Sequence, residues 1–176
     1  MNKNSDISSL LKVEEGVRHK PYIDALGYPT VGVGFKLGPQ GANLKNYTFC
    51  LTDNVIETWL QENINRVYRS MQQNEKIKQA LLCSNSVRTD ILISMAYQMG
   101  VNGLAGFNSM LMAITEQEWN NAADEMRRSI WAKQTPKRAE RHAAVIDQDN
   151  GHQYIIFLLT NSSFLDATIF IVYGSL

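Results

Sequence analysis

The spacing of apolar residues changes period twice along the chain, and those two changes restrict the fold more than any single motif. Ile7, Leu10 and Leu11 fall on one helical face. Gly16 follows, the residue type that ends a helix in a left-handed conformation, so Glu15 is expected in the last helical turn. Between Tyr28 and Phe35 the stretch YPTVGVGF alternates with period two, and Gly27 and Pro29 are turn signals for a small hairpin or sheet. After Thr52 a step of three and four returns at Val55, Ile56, Trp59, Leu60, Ile64, Val67 and Met71. This order predicts an α+β chain, with a small sheet near the N-terminus, a long helix leading out of it and a larger helical part beyond.

The helical part reads as short-spaced helices as far as Val145. Val87, Ile91, Leu92, Met95 and Ala96 make one apolar face that stops near Gly100. TEQE, Thr115 to Glu118, has capping-box spacing ahead of Trp119, Ala122, Ala123, Met126 and Ile130. Thr135 is placed as an N-cap with Pro136 at the first helical position, which puts Arg138 in the first turn. With no internal repeat or low-complexity linker, the 176 residues are expected to form one domain. Its helical lobe is drawn from residues 1–12 and 60–150, its small β lobe from 13–51 and its linking helix from 52–72, with a tail at 151–176.

Charge and cysteine usage narrow the partners. Seventeen Lys and Arg balance seventeen Asp and Glu, so nothing overall favours nucleic acid or an anionic membrane. Cys50 and Cys83 lack metal-site spacing and are read as buried free thiols. His19, His142 and His152 also lack ligand spacing and are read as surface residues; no metal or cofactor is expected. The opening MNKNSDISSL has no apolar signal core, and no run approaches the roughly 18 apolar residues of a membrane span. The apolar runs of the tail, Tyr154 to Leu159 and Ile169 to Tyr173, are expected to pack on the helical lobe, the alternative being an exposed segment for self-association of an otherwise monomeric protein.

Glu15 and Asp24 lie close in sequence but on different elements, which lets two carboxyl groups take different protonation states, as acid and base at a glycosidic bond must. Glu15 at a helix C-terminus faces the negative end of the dipole, and partial burial would further favour its neutral form as a proton donor. Asp24, on a turn, is expected to be more solvated and ionised. The Thr30 hydroxyl on the strand could hold a water. Read alone, a Glu at a helix end and an Asp in a turn are also common surface residues.

The segment VEEGVRHKPYIDALGYPTVGVG carries E-G-x-R, Y-x-D, G-Y-x-T and G-x-G elements in order. Further on stand MAYQMGVNGLAGFNSM at Met95–Met110, EWNNAADEM at Glu118–Met126 and WAKQTPKRAER at Trp131–Arg141. Together they resemble the T4-type phage lysozymes over about residues 8–145. The resemblance implies a lysozyme-like fold with a cleft between its lobes. It also implies a muramidase that cuts the β-1,4 bond between N-acetylmuramic acid and N-acetylglucosamine, with inversion. Glu15 then falls on the general acid, Asp24 on the second catalytic carboxylate and Thr30 on the water-positioning threonine. Arg138 falls on an arginine beside the catalytic glutamate, and Tyr97 on an aromatic cleft residue that could stack on a sugar. The implied partner is peptidoglycan in the periplasm, reached from the host cytoplasm by holin-type release.

The chain departs from the family pattern at several positions. Phe35 and Asn63 stand where the family often has a histidine and its aspartate partner, a joint replacement that suggests a change in stability rather than catalysis. Lys36, Met110 and Glu125 differ from the family's cleft residues, and the stretch between Gly34 and Thr52 is shorter. The neutral charge is unlike the basic balance of such enzymes. These departures motivate a reading from another class, a catalytically silent wall-binding or interaction protein that keeps the fold; a lytic transglycosylase, which needs one acid and no water, is a third.

Overall fold

The structure, a computed structural model, describes residues 7–149. Helix α1 (Ile7–Glu15) leads into strands β1 (Arg18–Ile23), β2 (Pro29–Gly32) and β3 (Phe35–Lys36), and a single 3-10 turn spans Leu44–Asn46. Then follow α2 (Asp53–Met71), α3 (Glu75–Cys83), α4 (Ser86–Ala105), α5 (Asn108–Thr115), α6 (Trp119–Arg128), α7 (Ile130–Gln134) and α8 (Pro136–Gln148). The α+β expectation holds. The sheet is antiparallel in the order β1-β2-β3, and Thr30 on the middle strand pairs with Tyr22 on one side and Lys36 on the other. The expected tail lies outside the described residues, as does His152.

Local signals set most boundaries. Gly16 takes φ +74, ending α1 one residue after Glu15, and α2 opens directly after Thr52. Gly32 and Gly34 also take positive φ, 63 and 72, so the chain reverses inside YPTVGVGF and the single alternating run becomes two short strands. At Gly32 a Cβ would sit 2.5 Å from the Phe35 ring, a close approach only glycine allows. Gly100 (φ 80, ψ 161) kinks α4 without ending it. The TEQE capping box does not form. Thr115 closes α5 and donates its hydroxyl back to the Leu111 carbonyl, while Glu118 is the N-cap of α6. Thr135 precedes α8 and Pro136 opens it, as expected, but the Thr135 hydroxyl donates to the Trp131 carbonyl and gives no side-chain cap.

The core gathers Leu10 and Leu11 of α1, Val31 of β2, Leu60 and Ile64 of α2, Leu92 of α4 and Ile146 of α8, all sealed from solvent. Phe35 stacks on Trp59 with ring centroids 4.6 Å apart, and Asn63 takes a hydrogen bond from Arg66. The Phe35 and Asn63 positions therefore hold an aromatic contact and a local polar contact instead of an ion pair. Met110 is buried in the same core. Cys50 and Cys83 are free, but Cys50 is exposed and Cys83 half-buried, so the expectation of two buried thiols does not hold. Among the described residues, no helix is long and apolar enough to cross a membrane.

Candidate active site

Glu14 and Glu15 end α1 side by side, where the helix dipole disfavours anions, so their stabilisation must come from cations on other elements. It comes from α8. Arg138 Nη1 donates to Glu15 Oε1 at 2.8 Å, Arg138 Nε lies 3.3 Å from Glu14 Oε2, and Arg141 Nη2 donates to both Glu14 oxygens at 3.1 Å. The two carboxylates face two guanidiniums in a nearly dry setting, the Glu15 side chain being 8 % exposed and that of Arg138 0 %. Among the described residues, the hydrogen bond to Glu15 is made at Oε1, and none is made at Oε2.

Asp24 departs from the solvated residue expected of it. It is 9 % exposed, because its Oδ1 accepts the backbone N–H groups of Leu26 (2.9 Å) and Tyr28 (2.8 Å) and closes the β1–β2 turn. Its Oδ2 lies 3.5 Å from Thr30 Oγ1. Thr30 is likewise buried, at 1 % exposure, and its hydroxyl, with one proton to give, has the shorter contact to the Tyr28 carbonyl at 3.0 Å. The open wall position read from the sequence is thus an enclosed one beside the turn.

Two tyrosines register the carboxylates. Burial pushes the Tyr22 phenol up, Arg18 works against this, and the charges of Asp24 and Glu15 add to it. One phenol lies within electrostatic reach of both acids. Burial likewise raises the Tyr97 phenol, with the Glu15 charge adding and Arg66 opposing. Tyr97 donates its hydroxyl to the Val33 carbonyl at 2.8 Å, tying α4 to the β2–β3 turn. Its polar end is engaged there, and its ring packs against the core.

The structure therefore brings Glu15, Arg138 and Tyr97 into one neighbourhood, sets Asp24 with Thr30 across Tyr22, and adds Glu14, Ser94 and Arg141, which the sequence reading passed over, and His142, which it placed at the surface. Far from the surface residue expected, His142 is fully buried. It lies beneath the edge of Trp131, with centroids 5.8 Å apart at 79°. The α8 spacing of Arg138, Arg141 and His142 at i, i+3 and i+4 was the available signal for a shared face. His19, by contrast, is a surface residue, 2.8 Å from Asp53 Oδ1. Lys36 is exposed and sets its ammonium 3.8 Å from the centroid of the Tyr28 ring, and Glu125 pairs with Arg128 at 2.9 Å. Among the described residues, no three His, Cys, Asp or Glu side chains converge as a metal site.

The chain is similar to known proteins over most of its length. The family model described as phage lysozyme matches residues 12–144. The pre-baseplate central spike protein Gp5 of Enterobacteria phage T4 is 29 % identical over 94 % of the chain, which spans only 32 % of that protein. Probable T4-type lysozyme 1 of Dictyostelium discoideum is 28 % identical over 85 % of the chain and 98 % of its own length. The peptidoglycan hydrolase gp36 of Pseudomonas phage phiKMV is 30 % identical over 72 % of the chain and 13 % of its own length.

Proposed function

The chain belongs to the phage lysozyme family, and from that membership we propose that it is a peptidoglycan muramidase that hydrolyses the β-1,4 bond between N-acetylmuramic acid and N-acetylglucosamine. The observation that carries the proposal is the division of labour at Glu15. One carboxyl oxygen is held by Arg138, and the other carries no hydrogen bond and is available to a glycosidic oxygen. In this reading it is the protonated form of Glu15 that gives its proton to the leaving sugar oxygen as the bond breaks, and it is left as the carboxylate that Arg138 holds. Asp24, whose Oδ1 is fixed by two backbone N–H groups, directs Oδ2 toward the positive charge developing at the anomeric carbon or toward the attacking water. Thr30 backs Asp24 from 3.5 Å. Water arriving on the face opposite the leaving group bonds to the anomeric carbon and passes its proton to Asp24, which gives inversion. Tyr97 offers its ring to a sugar face.

The biological setting that fits is attack on the host wall from the periplasmic side, after release from the cytoplasm, leading to lysis. A second reading is favoured by the likeness to the T4 spike protein: the same chemistry would act within a virion, and antibodies against this chain would then label purified particles. The test of the first reading is mass spectrometry of muropeptides after digestion of purified sacculi. The wild type should release reducing muramic ends, and Glu15→Gln should release none. Equal release by Glu15→Gln would defeat the assignment of the acid. Anhydro-muramic ends would mark a transglycosylase, and sacculus binding without new ends a silent wall-binding protein.

A further inference from the structure

The guanidinium that meets Glu15 is itself held from behind by a closed ring of hydrogen bonds. Arg138 Nη2 donates to Ser94 Oγ at 2.9 Å and lies 3.5 Å from the Ser94 carbonyl oxygen. Ser94 Oγ sits 3.1 Å from His142 Nε2, and His142 Nδ1 sits 2.9 Å from the Arg138 carbonyl oxygen, one helical turn earlier. Ser94, Arg138 and His142 are all fully buried, so water cannot substitute for any of these partners.

The chemistry of the groups assigns each donor and acceptor. A carbonyl oxygen only accepts, so Nδ1 carries the ring hydrogen. Nε2 of the neutral ring is then an acceptor. A guanidinium only donates. The Ser94 hydroxyl must therefore accept from Arg138 and donate to His142, and the bonds run in one direction from Arg138 through Ser94 to His142 and back to the Arg138 main chain. The neutral ring this requires is consistent with burial, the largest cause, pushing His142 down to about 4; Glu14 and the bond to the Arg138 backbone oppose that shift, while Arg138 and Arg141 add to it.

The other candidate for orienting Arg138 is Glu14, and its geometry is poor. Arg138 Nε, although buried and 3.3 Å from Glu14 Oε2, makes no hydrogen bond. Glu14 supplies charge, which attracts the guanidinium without fixing its rotation. The direction of the fork is set at Nη2.

We propose that Ser94 and His142 are positioning residues for the hydrolysis, holding the Arg138 fork in the one rotation that brings Nη1 onto Glu15 Oε1. This deepens the muramidase reading and rests on it. Neither residue touches substrate; both act through Arg138.

The test combines a spectroscopic and a kinetic measurement on the full chain. Long-range proton–nitrogen NMR on ring-labelled histidine should report His142 with Nδ1 protonated and Nε2 bare at neutral pH; a ring protonated at Nε2 would overturn the proposal. Dye release from labelled sacculi at varied substrate concentration should give Ser94→Ala a kcat lower by tenfold to about a hundredfold, as a small misplacement at a reacting group produces, with KM within twofold of wild type. His142→Leu should behave alike, and His142→Gln, which returns an acceptor toward Ser94, should recover part of the loss. A folded Ser94→Ala with wild-type kcat, or with the loss confined to KM, would overturn the proposal; where His142→Leu does not fold, Ser94→Ala decides alone, since it removes one oxygen atom. An inactive wild type would instead sink the muramidase reading, which separates the two failures.

Discussion

Arg138 Nη1 donates to Glu15 Oε1 at 2.8 Å, joining the last residue of α1 to the first turn of α8 across 123 positions of sequence. Because Arg138 also lies 3.3 Å from Glu14 Oε2, its removal takes a shared counter-charge from two adjacent buried acids. Arg138→Met should therefore cost about 3–5 kcal/mol at neutral pH, the usual penalty for breaking a buried ion pair. Arg138→Lys should recover little, since one ammonium cannot span Glu15 and Ser94 as a planar fork does. Urea unfolding of both variants checks this; a loss below about 1 kcal/mol for Arg138→Met would contradict it.

The proposed mechanism gives Asp24 a charge to supply besides the turn it closes, and two substitutions pull these apart. Asp24→Ala strips the acceptor from the Leu26 and Tyr28 N–H groups and should lower stability by about 1–3 kcal/mol as well as activity. Asp24→Asn keeps an acceptor oxygen in place and loses only the charge. It should melt close to wild type while losing about a hundredfold or more in turnover, the range for a misassigned acid–base group. Calorimetry and sacculus digestion on the same preparations make the comparison; an active Asp24→Asn would leave Asp24 with the turn alone.

What could be read from the chain divides by the range of the interaction that fixes it. The end of α1 at Gly16, the start of α2 after Thr52 and the place of Arg138 behind Pro136 depend on residues within a turn of one another, and each was legible. β1 was not, because RHKPYI is mostly exposed and contains a proline, so it shows no alternation and is a strand only through its pairing with β2. The burial of Asp24 was missed for a related reason: composition marks an Asp in a turn as wet, whereas here the carboxylate is folded back onto its own backbone. His142 was misread because nothing near it in sequence reveals Ser94 or Trp131, which reach it from α4 and α7. The resemblance to a family supplied the roles proposed for Glu15, Asp24 and Thr30, and periodicity alone would have left them as two acids and a hydroxyl.

Gly32 allows the sheet to turn beneath Phe35. At φ +63 and with a Cβ position 2.5 Å from the Phe35 ring, Gly32→Ala must both strain the backbone and displace a ring that stacks on Trp59. A loss of about 1–3 kcal/mol is expected from the overpacking alone. Gly34, with φ +72 but open space around its Cβ, isolates the backbone part, so Gly34→Ala should lose less. Thermal unfolding of the pair tests the order; equal midpoints would show that the ring yields freely.

Burial of His142 makes stability depend on pH in a defined direction. The unfolded chain takes up this proton near 6.5, whereas the folded protein resists it until about 4, so between those values the unfolded state binds more protons and acid favours unfolding. The contribution is intact above pH 6.5, declines as pH falls and is exhausted below about 4, amounting to about 3 kcal/mol over the window. Carboxylates elsewhere add their own acid dependence, so the quantity to measure is a difference. Unfolding free energies of wild type and His142→Gln, followed from pH 7 to 4, should converge by about that amount, the variant having the shallower slope. Parallel curves would mean that the ring is already charged, or reaches solvent, in the folded protein, and the one-directional bond from Ser94 to Nε2 could not then exist.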